Sequence, residues 1–212
     1  MPLTKDAWPS KEGLKIGYLN VNSARNKMHE MSSILHNSGK HFHLFCFAES
    51  RLTEDNEVDI DGYDSIPLHA KAIREVGLIL YCSKSITFKR LFADNTWGIE
   101  SVWVEISIKR STPLILGFVY RNPAEKVEWY DRFNSLMDAV ILESKETIIM
   151  GDFNINLLSP SSKWSHIYPM YGLEQLVDRR TRITDKTKTL IDHIYVTSTK
   201  KYHRSMLSHN WM

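Results

Sequence analysis

The 212 residues carry 27 Lys and Arg against 25 Asp and Glu, a formal charge of +2, and 42% of them are apolar. That apolar share is enough to build the core of one large domain, and the near balance of charge means that attraction to a polyanion must come from local clustering. The two cysteines, Cys46 and Cys82, both lie inside apolar runs, which excludes a disulfide framework and fits reduced core thiols of an intracellular protein.

Residues 1–12 are polar and read as a disordered tail without the apolar segment of a signal peptide, with one domain expected over 13–212. No apolar run approaches the roughly 18 residues of a membrane span, so no membrane partner is expected. Leu14 to Val21 reads as a first strand, broken by the turn chemistry of Asn20, Asn22 and Ser23. From about Arg25 to Asn37, Met28, Met31, Ile34 and Leu35 fall at helical spacing, with Gly39 past the end as a cap. Phe42 to Ala48 is a buried strand that delivers Glu49 at its carboxyl end, followed by a polar loop up to Gly62. Leu78–Cys82 and Ser85–Leu91 read as a hairpin. Val102 to Ile108 alternates with period two, and Leu114 to Tyr120 follows Pro113 as another strand. Trp129, Phe133, Leu136, Met137, Val140 and Ile141 step by three and four, marking an amphipathic helix over 128–143. Thr147–Met150 is a short strand running into Gly151, Asp152, Phe153 and Asn154; Ser162 to Tyr171 reads as a short helix interrupted by Pro169; Leu190 to Val196 is a last strand containing Asp192 and His193. Strands outnumber helices, so two sheets with helices outside fit better than a simple alternating βαβ sheet.

Separate strand ends thus deliver Asn20 with Asn22, Glu49, Tyr120, and Asp152 with Asn154, while Asp192 sits inside another strand. Each alone has an ordinary reading: Asn, Asp and Gly after a strand form turns, and a tyrosine ending a strand is commonly half-buried. Together they offer what a hard divalent cation takes, one or two carboxylates plus water and phosphate oxygens. No Cys/His cluster suggests zinc, and neither a Walker-type glycine loop nor a Gly-x-Ser-x-Gly elbow is present; His41 and His43 read as structural.

The stretches Leu19-Asn20-Val21-Asn22-Ser23, Phe47-Ala48-Glu49-Ser50, Gly117-Phe118-Val119-Tyr120-Arg121, Gly151-Asp152-Phe153-Asn154 and Leu190-Ile191-Asp192-His193-Ile194, in this order and spacing, resemble the successive motifs of the endonuclease/exonuclease/phosphatase superfamily. Arg25-Asn26-Lys27, Arg121-Asn122-Pro123, the run from Asp152 to Leu158 and Leu173-Glu174-Gln175-Leu176-Val177 are most similar to endonucleases of LINE-type retrotransposons of the chicken-repeat and jockey kind. The resemblance implies a four-layer α-β-β-α sandwich of the α/β (α+β) class, two mixed sheets flanked by helices. It also implies a Mg²⁺-dependent (or Mn²⁺-dependent) nick in DNA that primes reverse transcription, an adjoining reverse transcriptase domain, and a nuclear location. Carried over, Glu49 is the metal ligand, helped by Asn20 and Asn22, the latter an aspartate in some relatives. Asp152 deprotonates the attacking water, Asn154 fixes that water or a phosphate oxygen, Tyr120 donates to the phosphate, and Asp192 supports the metal or a catalytic histidine.

Relatives close with a Ser-Asp-His motif about twenty residues after the Ile-Asp-His strand, and the 212 residues contain no such triplet. Ser208-His209 lacks the aspartate and comes too early, and His193, next to Asp192 in a strand, should face the other way. The expectation is a domain incomplete at its C-terminus, without its last strand and impaired in activity. Arg121, Arg179, Arg180, Arg182, Lys186 and Lys188, with Lys200, Lys201, His203 and Arg204 beyond, flank the proposed site and offer salt-dependent contacts to a phosphate backbone, a solvated basic loop being the alternative. Trp97, Trp103, Trp129 and Trp164 are expected in the core. Two other functions stay open: a phosphatase or phosphodiesterase of the same superfamily, and an inactive nucleic-acid-binding remnant.

Overall fold

The computed structural model describes residues 13–36, 42–53, 59–69, 76–107, 112–159 and 163–197. The tail 1–12, His41, Gly39 and everything after 197, including Lys200, Lys201, His203, Arg204 and Ser208-His209, lie outside the described residues. The chain divides into two compact units, with the boundary between Ile86 and Thr87.

In the first unit, strands β1 (Ile16–Asn20), β2 (Leu44–Ala48), β3 (Tyr63–Leu68) and β4 (Leu78–Ser83) form a mixed sheet in the order β1-β2-β4-β3. β1 and β2 run parallel; β4 is antiparallel to both its neighbours. β2 reads Leu-Phe-Cys-Phe-Ala, and every one of its residues is buried, as a run with no polar side chain requires. Helix α1 (Met28–His36) lays Met31 and Leu35, one turn apart, into a core shared with Phe45, Phe47, Ile79 and Tyr81. The helix begins after the predicted Arg25, because Asn22 and Ser23 hold left-handed backbone and the chain from Val21 to Ala24 bonds to the loop after β2 instead.

The second unit holds β5 (Thr87–Arg90), β6 (Glu100–Ser107), β7 (Leu114–Tyr120), helix α2 (Glu128–Leu142), β8 (Glu146–Asp152), a short helix α3 (Trp164–Ile167), β9 (Glu174–Gln175), β10 (Arg182–Ile183), β11 (Lys188–Thr189) and β12 (Asp192–Val196). Six of these strands form a mixed sheet ordered β5-β6-β7-β8-β12-β9, while β10 and β11 pair with each other. β7 and β8 are parallel, with α2 as the connection between them. Trp129, Phe133, Leu136, Met137 and Val140 of α2 are buried in one core with Trp103, Ile115, Val119, Ile149 and Tyr195 of the sheet. Full burial of one such side chain contributes about 1.5–3 kcal/mol. Gly117 makes room for the Trp103 indole: a Cβ there would lie 2.4 Å from the ring. Trp103, Trp129 and Trp164 are buried as expected, and Trp97 packs partly buried against the same core.

One expected strand pairing is corrected. The predicted hairpin of Leu78–Cys82 with Ser85–Leu91 does not form: β4 pairs with β2 and β3, whereas β5 pairs with β6 in the other sheet. Tyr63–Leu68, which carried no strand signal in the sequence, forms an edge strand. The predicted short helix with a proline break is a single turn at Trp164–Ile167, then a 3-10 turn over Tyr168–Tyr171 closed by Gly172 at φ 65°. No helix among the described residues is long and apolar enough to cross a membrane.

Candidate active site

In the first unit, β1 and β2 end side by side, with Asn20 opposite Ala48. The pairing runs on into the loops: Val21 N–H donates to Ala48 O at 3.0 Å, Ser23 N–H to Glu49 O at 2.7 Å and Ala24 N–H to Ser50 O at 2.8 Å. This brings Glu49 to Asn20, whose Nδ2 donates to Glu49 Oε1 at 2.6 Å. Asn22 N–H donates to Asn20 Oδ1 at 3.1 Å, Arg51 donates to Asn22 Oδ1 at 3.3 Å, and Arg51 lies 3.9 Å from Glu49 Oε2. Asn22, Ser23, Glu49 and Arg51 all have positive φ, a conformation disfavoured for residues with a Cβ and held here by the surrounding hydrogen bonds. The first unit thus joins Asn20, Asn22 and Glu49 in one hydrogen-bonded group.

In the second unit the strand registers decide the arrangement. Tyr120 pairs with Asp152 across β7 and β8, and Asp152 pairs with Asp192 across β8 and β12. Register partners present their side chains to the same face about 4.5–5.5 Å apart, so the three form a row across adjacent strands. Glu100, opposite Tyr120 on β6, extends it. Gly151 permits the close approach at this end of the sheet, since a Cβ there would fall 1.8 Å from Val119 O. Past β8 the chain turns: Asn154, at φ 49°, donates its N–H to Asp152 Oδ1 at 3.0 Å and its side-chain Nδ2 to Arg121 O at 2.9 Å. Only an N–H can donate to a carbonyl, so the Asn154 amide is oriented with its oxygen turned away from that carbonyl.

Asp192 opens β12 rather than sitting within it, and burial raises its pKa, while the Thr181 hydroxyl, Arg182 and its own backbone pull the other way. Thr181 Oγ1 also accepts from the N–H groups of Ile191 and Asp192, both at 3.1 Å. Thr181 is the residue before the β10–β11 hairpin, whose turn is closed by Thr184 N–H to Thr187 O at 2.8 Å. Arg179, Arg180, Arg182, Lys186 and Lys188 are all exposed on or beside this hairpin.

Arg121 departs from the basic surface expected of it. It is buried, its guanidinium lies over Trp129 at 5.4 Å and Tyr130 at 5.9 Å, and it donates to Glu125 O at 2.5 Å. His193 faces the opposite side of the sheet from Asp192, stacked on Phe153 with ring centroids 4.9 Å apart. Its Nε2 has only carbonyl partners, Ile155 O at 3.0 Å and Leu190 O at 3.4 Å, so it carries the proton; Nδ1 accepts from Tyr195 O–H at 2.9 Å, and Trp164 Nε1 donates to that phenol oxygen at 2.5 Å. Burial pushes the His193 pKa down to about 4 and keeps the ring neutral.

The profile of the endonuclease/exonuclease/phosphatase family matches residues 17–210 of the chain. The chain belongs to that family. Among solved structures it is similar to the AP endonuclease LMAP of Leishmania major, with a TM-score of 0.65, 13% identity, and coverage of 92% of this chain and 82% of that one. It is similar to a 3′ phosphatase of Neisseria bound to a product DNA hairpin, with a TM-score of 0.62, 15% identity and 87% of each chain covered. A mannosyl-6-phosphatase of Bacteroides thetaiotaomicron matches with a TM-score of 0.59 at 14% identity, over 88% of this chain and 86% of that one. No curated protein sequence matches. At these identities the likeness establishes the fold, the α/β sandwich type of this family with two mixed sheets.

Members of the endonuclease/exonuclease/phosphatase family are hydrolases, and the donor chemistry here suits a hard cation. Among the described residues no group of three or more His, Cys, Asp or Glu gathers as a metal cage. Glu49 offers a carboxylate fixed by the Asn20 amide, with its side chain 18% exposed. That suits a hard divalent cation, which takes carboxylates together with waters and substrate oxygens. Thr181 and Glu100 are not among the residues that the sequence singles out. Thr181 gives no signal among basic residues, and Glu100 gains its place only through the register that sets it opposite Tyr120.

Proposed function

We propose that this member of the endonuclease/exonuclease/phosphatase family is a Mg²⁺-dependent (or Mn²⁺-dependent) endonuclease that hydrolyses a phosphodiester of DNA. The observation that carries the choice is the exposed basic hairpin bearing Arg182, Lys186 and Lys188, whose preceding residue Thr181 hydrogen-bonds Asp192 at the end of the Tyr120–Asp152–Asp192 row. Exposed cations spread along a hairpin suit the repeating charge of a nucleic acid backbone.

In this reading Glu49 holds the cation, with Asn20 orienting its carboxylate and Asn22 bracing Asn20 through its backbone N–H. When bound, the cation supplies charge neutralisation on the phosphate. Asp152 takes the proton of the attacking water, a role that requires the two to come within hydrogen-bond reach. Asn154 uses one amide hydrogen on Arg121 O and turns its carbonyl oxygen away, free in orientation to accept from that water. Tyr120 donates to a phosphate oxygen as charge develops. Asp192, held by Thr181, supports the row from the other side.

The experiment is nicking of supercoiled plasmid with and without Mg²⁺, beside a panel of small phosphoesters. Asp152→Ala should abolish nicking; unchanged nicking rejects the assignment. Turnover of a small phosphoester with no nicking favours the phosphatase reading, and DNA binding with neither activity favours the remnant. The finer proposal, a nuclear LINE-type element in which this domain adjoins a reverse transcriptase, rests on the local motif details and is tested by searching adjacent genomic DNA for that reading frame.

A further inference from the structure

We propose that Arg121 is a positioning residue for Asn154, acting from inside the protein and making no DNA contact; the assignment rests on the functional reading above. Its backbone is wired to both ends of the Asp152–Asn154 turn: Arg121 N–H donates to Asp152 O at 2.9 Å, and Arg121 O accepts from Asn154 Nδ2 at 2.9 Å. The side chain of the same residue is fixed separately. Its guanidinium lies over the faces of Trp129 and Tyr130 in the first turn of α2 and donates to Glu125 O in the loop before that helix.

Arg121 is 7% exposed, and its buried Nε has no hydrogen-bond partner among the described residues. Burying a charged group with one donor unsatisfied is costly, and the remaining contacts of the guanidinium offset that cost. They tie residue 121, whose carbonyl accepts from Asn154, to α2 through its side chain. That carbonyl fixes the rotation of the Asn154 amide, and with it the direction of the one oxygen Asn154 offers outward. Lysine cannot substitute, because a planar fork that stacks on two rings while donating to a carbonyl is a guanidinium property.

The test compares wild type with Arg121→Met, which keeps the length and bulk of the stem, and Arg121→Lys, which keeps the charge. Side-chain amide exchange of Asn154 is followed by NMR, nicking kinetics by plasmid assay, and DNA affinity across a salt series. Both variants should lose protection of the Asn154 amide protons and about 10–100-fold in kcat, the scale on which a misplaced catalytic group acts. KM and the salt slope should stay at the wild-type values. A salt slope reduced by about 0.9 would make Arg121 a phosphate contact and overturn the proposal. Asn154 protons equally protected in Arg121→Met would also overturn it, as would a wild-type kcat in Arg121→Lys with its fold intact. If wild type itself fails to nick, the functional reading falls, and the exchange comparison still decides whether Arg121 orients Asn154.

Discussion

His193 gives the sharpest test of the core behind the proposed active site. Burial lowers its pKa to about 4 from an unfolded value near 6.5. A base whose folded pKa is depressed binds fewer protons when native than when unfolded between those two values. Stability is therefore intact above pH 6.5 and falls as the pH drops toward 4. A gap of about 2.5 pH units, at about 1.4 kcal/mol each, amounts to about 3 kcal/mol. Asp192, raised by burial, works in the opposite sense, favouring the native state as pH falls toward the unfolded carboxylate value. Comparing wild type with His193→Gln at each pH cancels that contribution and those of other carboxylates. The variant gives up the hydrogen bonds with Ile155 O and Tyr195, lowering its stability throughout, but it has no proton to take up. Urea unfolding followed by tryptophan fluorescence reports mainly this unit, since Trp97, Trp103, Trp129 and Trp164, four of the six tryptophans in the chain, lie in it. The wild-type curve should drop more steeply than the variant's, by about 3 kcal/mol over the interval. Parallel curves would show that His193 is not a buried neutral base.

Gly151→Ala places a methyl group 1.8 Å from Val119 O; since both sides are backbone, strands β7 and β8 must separate, at a cost of about 3 kcal/mol or more, and an unchanged Tm would contradict this. Thr181→Val removes the acceptor for Ile191 and Asp192 N–H and the donor to the Asp192 carboxylate, which should destabilise by about 1–3 kcal/mol and raise the Asp192 pKa further. A ¹³C titration of that carboxyl checks the second point, and a value that stays put or falls refutes it. Replacing Arg182, Lys186 and Lys188 together by Ala should flatten the salt dependence of DNA binding by about 0.9 for each phosphate no longer neutralised; an identical slope would mean the hairpin is only a solvated loop.

Much of the arrangement was legible because strand ends carry chemistry in an order that sequence records. β2, β7 and α2 announced themselves through unbroken apolar runs and helical spacing, and Glu49, Tyr120, Asp152 and Asn154 followed from where those runs stop. β3 escaped because Tyr-Asp-Ser-Ile-Pro-Leu contains Pro67, which argues against a central strand but is tolerated at the edge position that β3 occupies. The Ser83–Ser85 turn has hairpin chemistry, yet the chain uses it to change sheets, a choice set by long-range pairing. The inward turn of Arg121 was hidden for a similar reason: nothing beside it forbids a surface position, and its burial depends on Trp129 and Tyr130 arriving from the next helix.

Asn22, Ser23, Glu49, Arg51 and Asn154 all occupy backbone that glycine would adopt without penalty. Laboratory evolution for heat tolerance alone should therefore drift toward glycine at these sites, wherever relief of steric conflict outweighs the extra freedom gained by the unfolded chain. At Glu49 or Asn154 the same drift would erase the groups proposed to do the chemistry, so hardiness and turnover would be selected against one another at these positions.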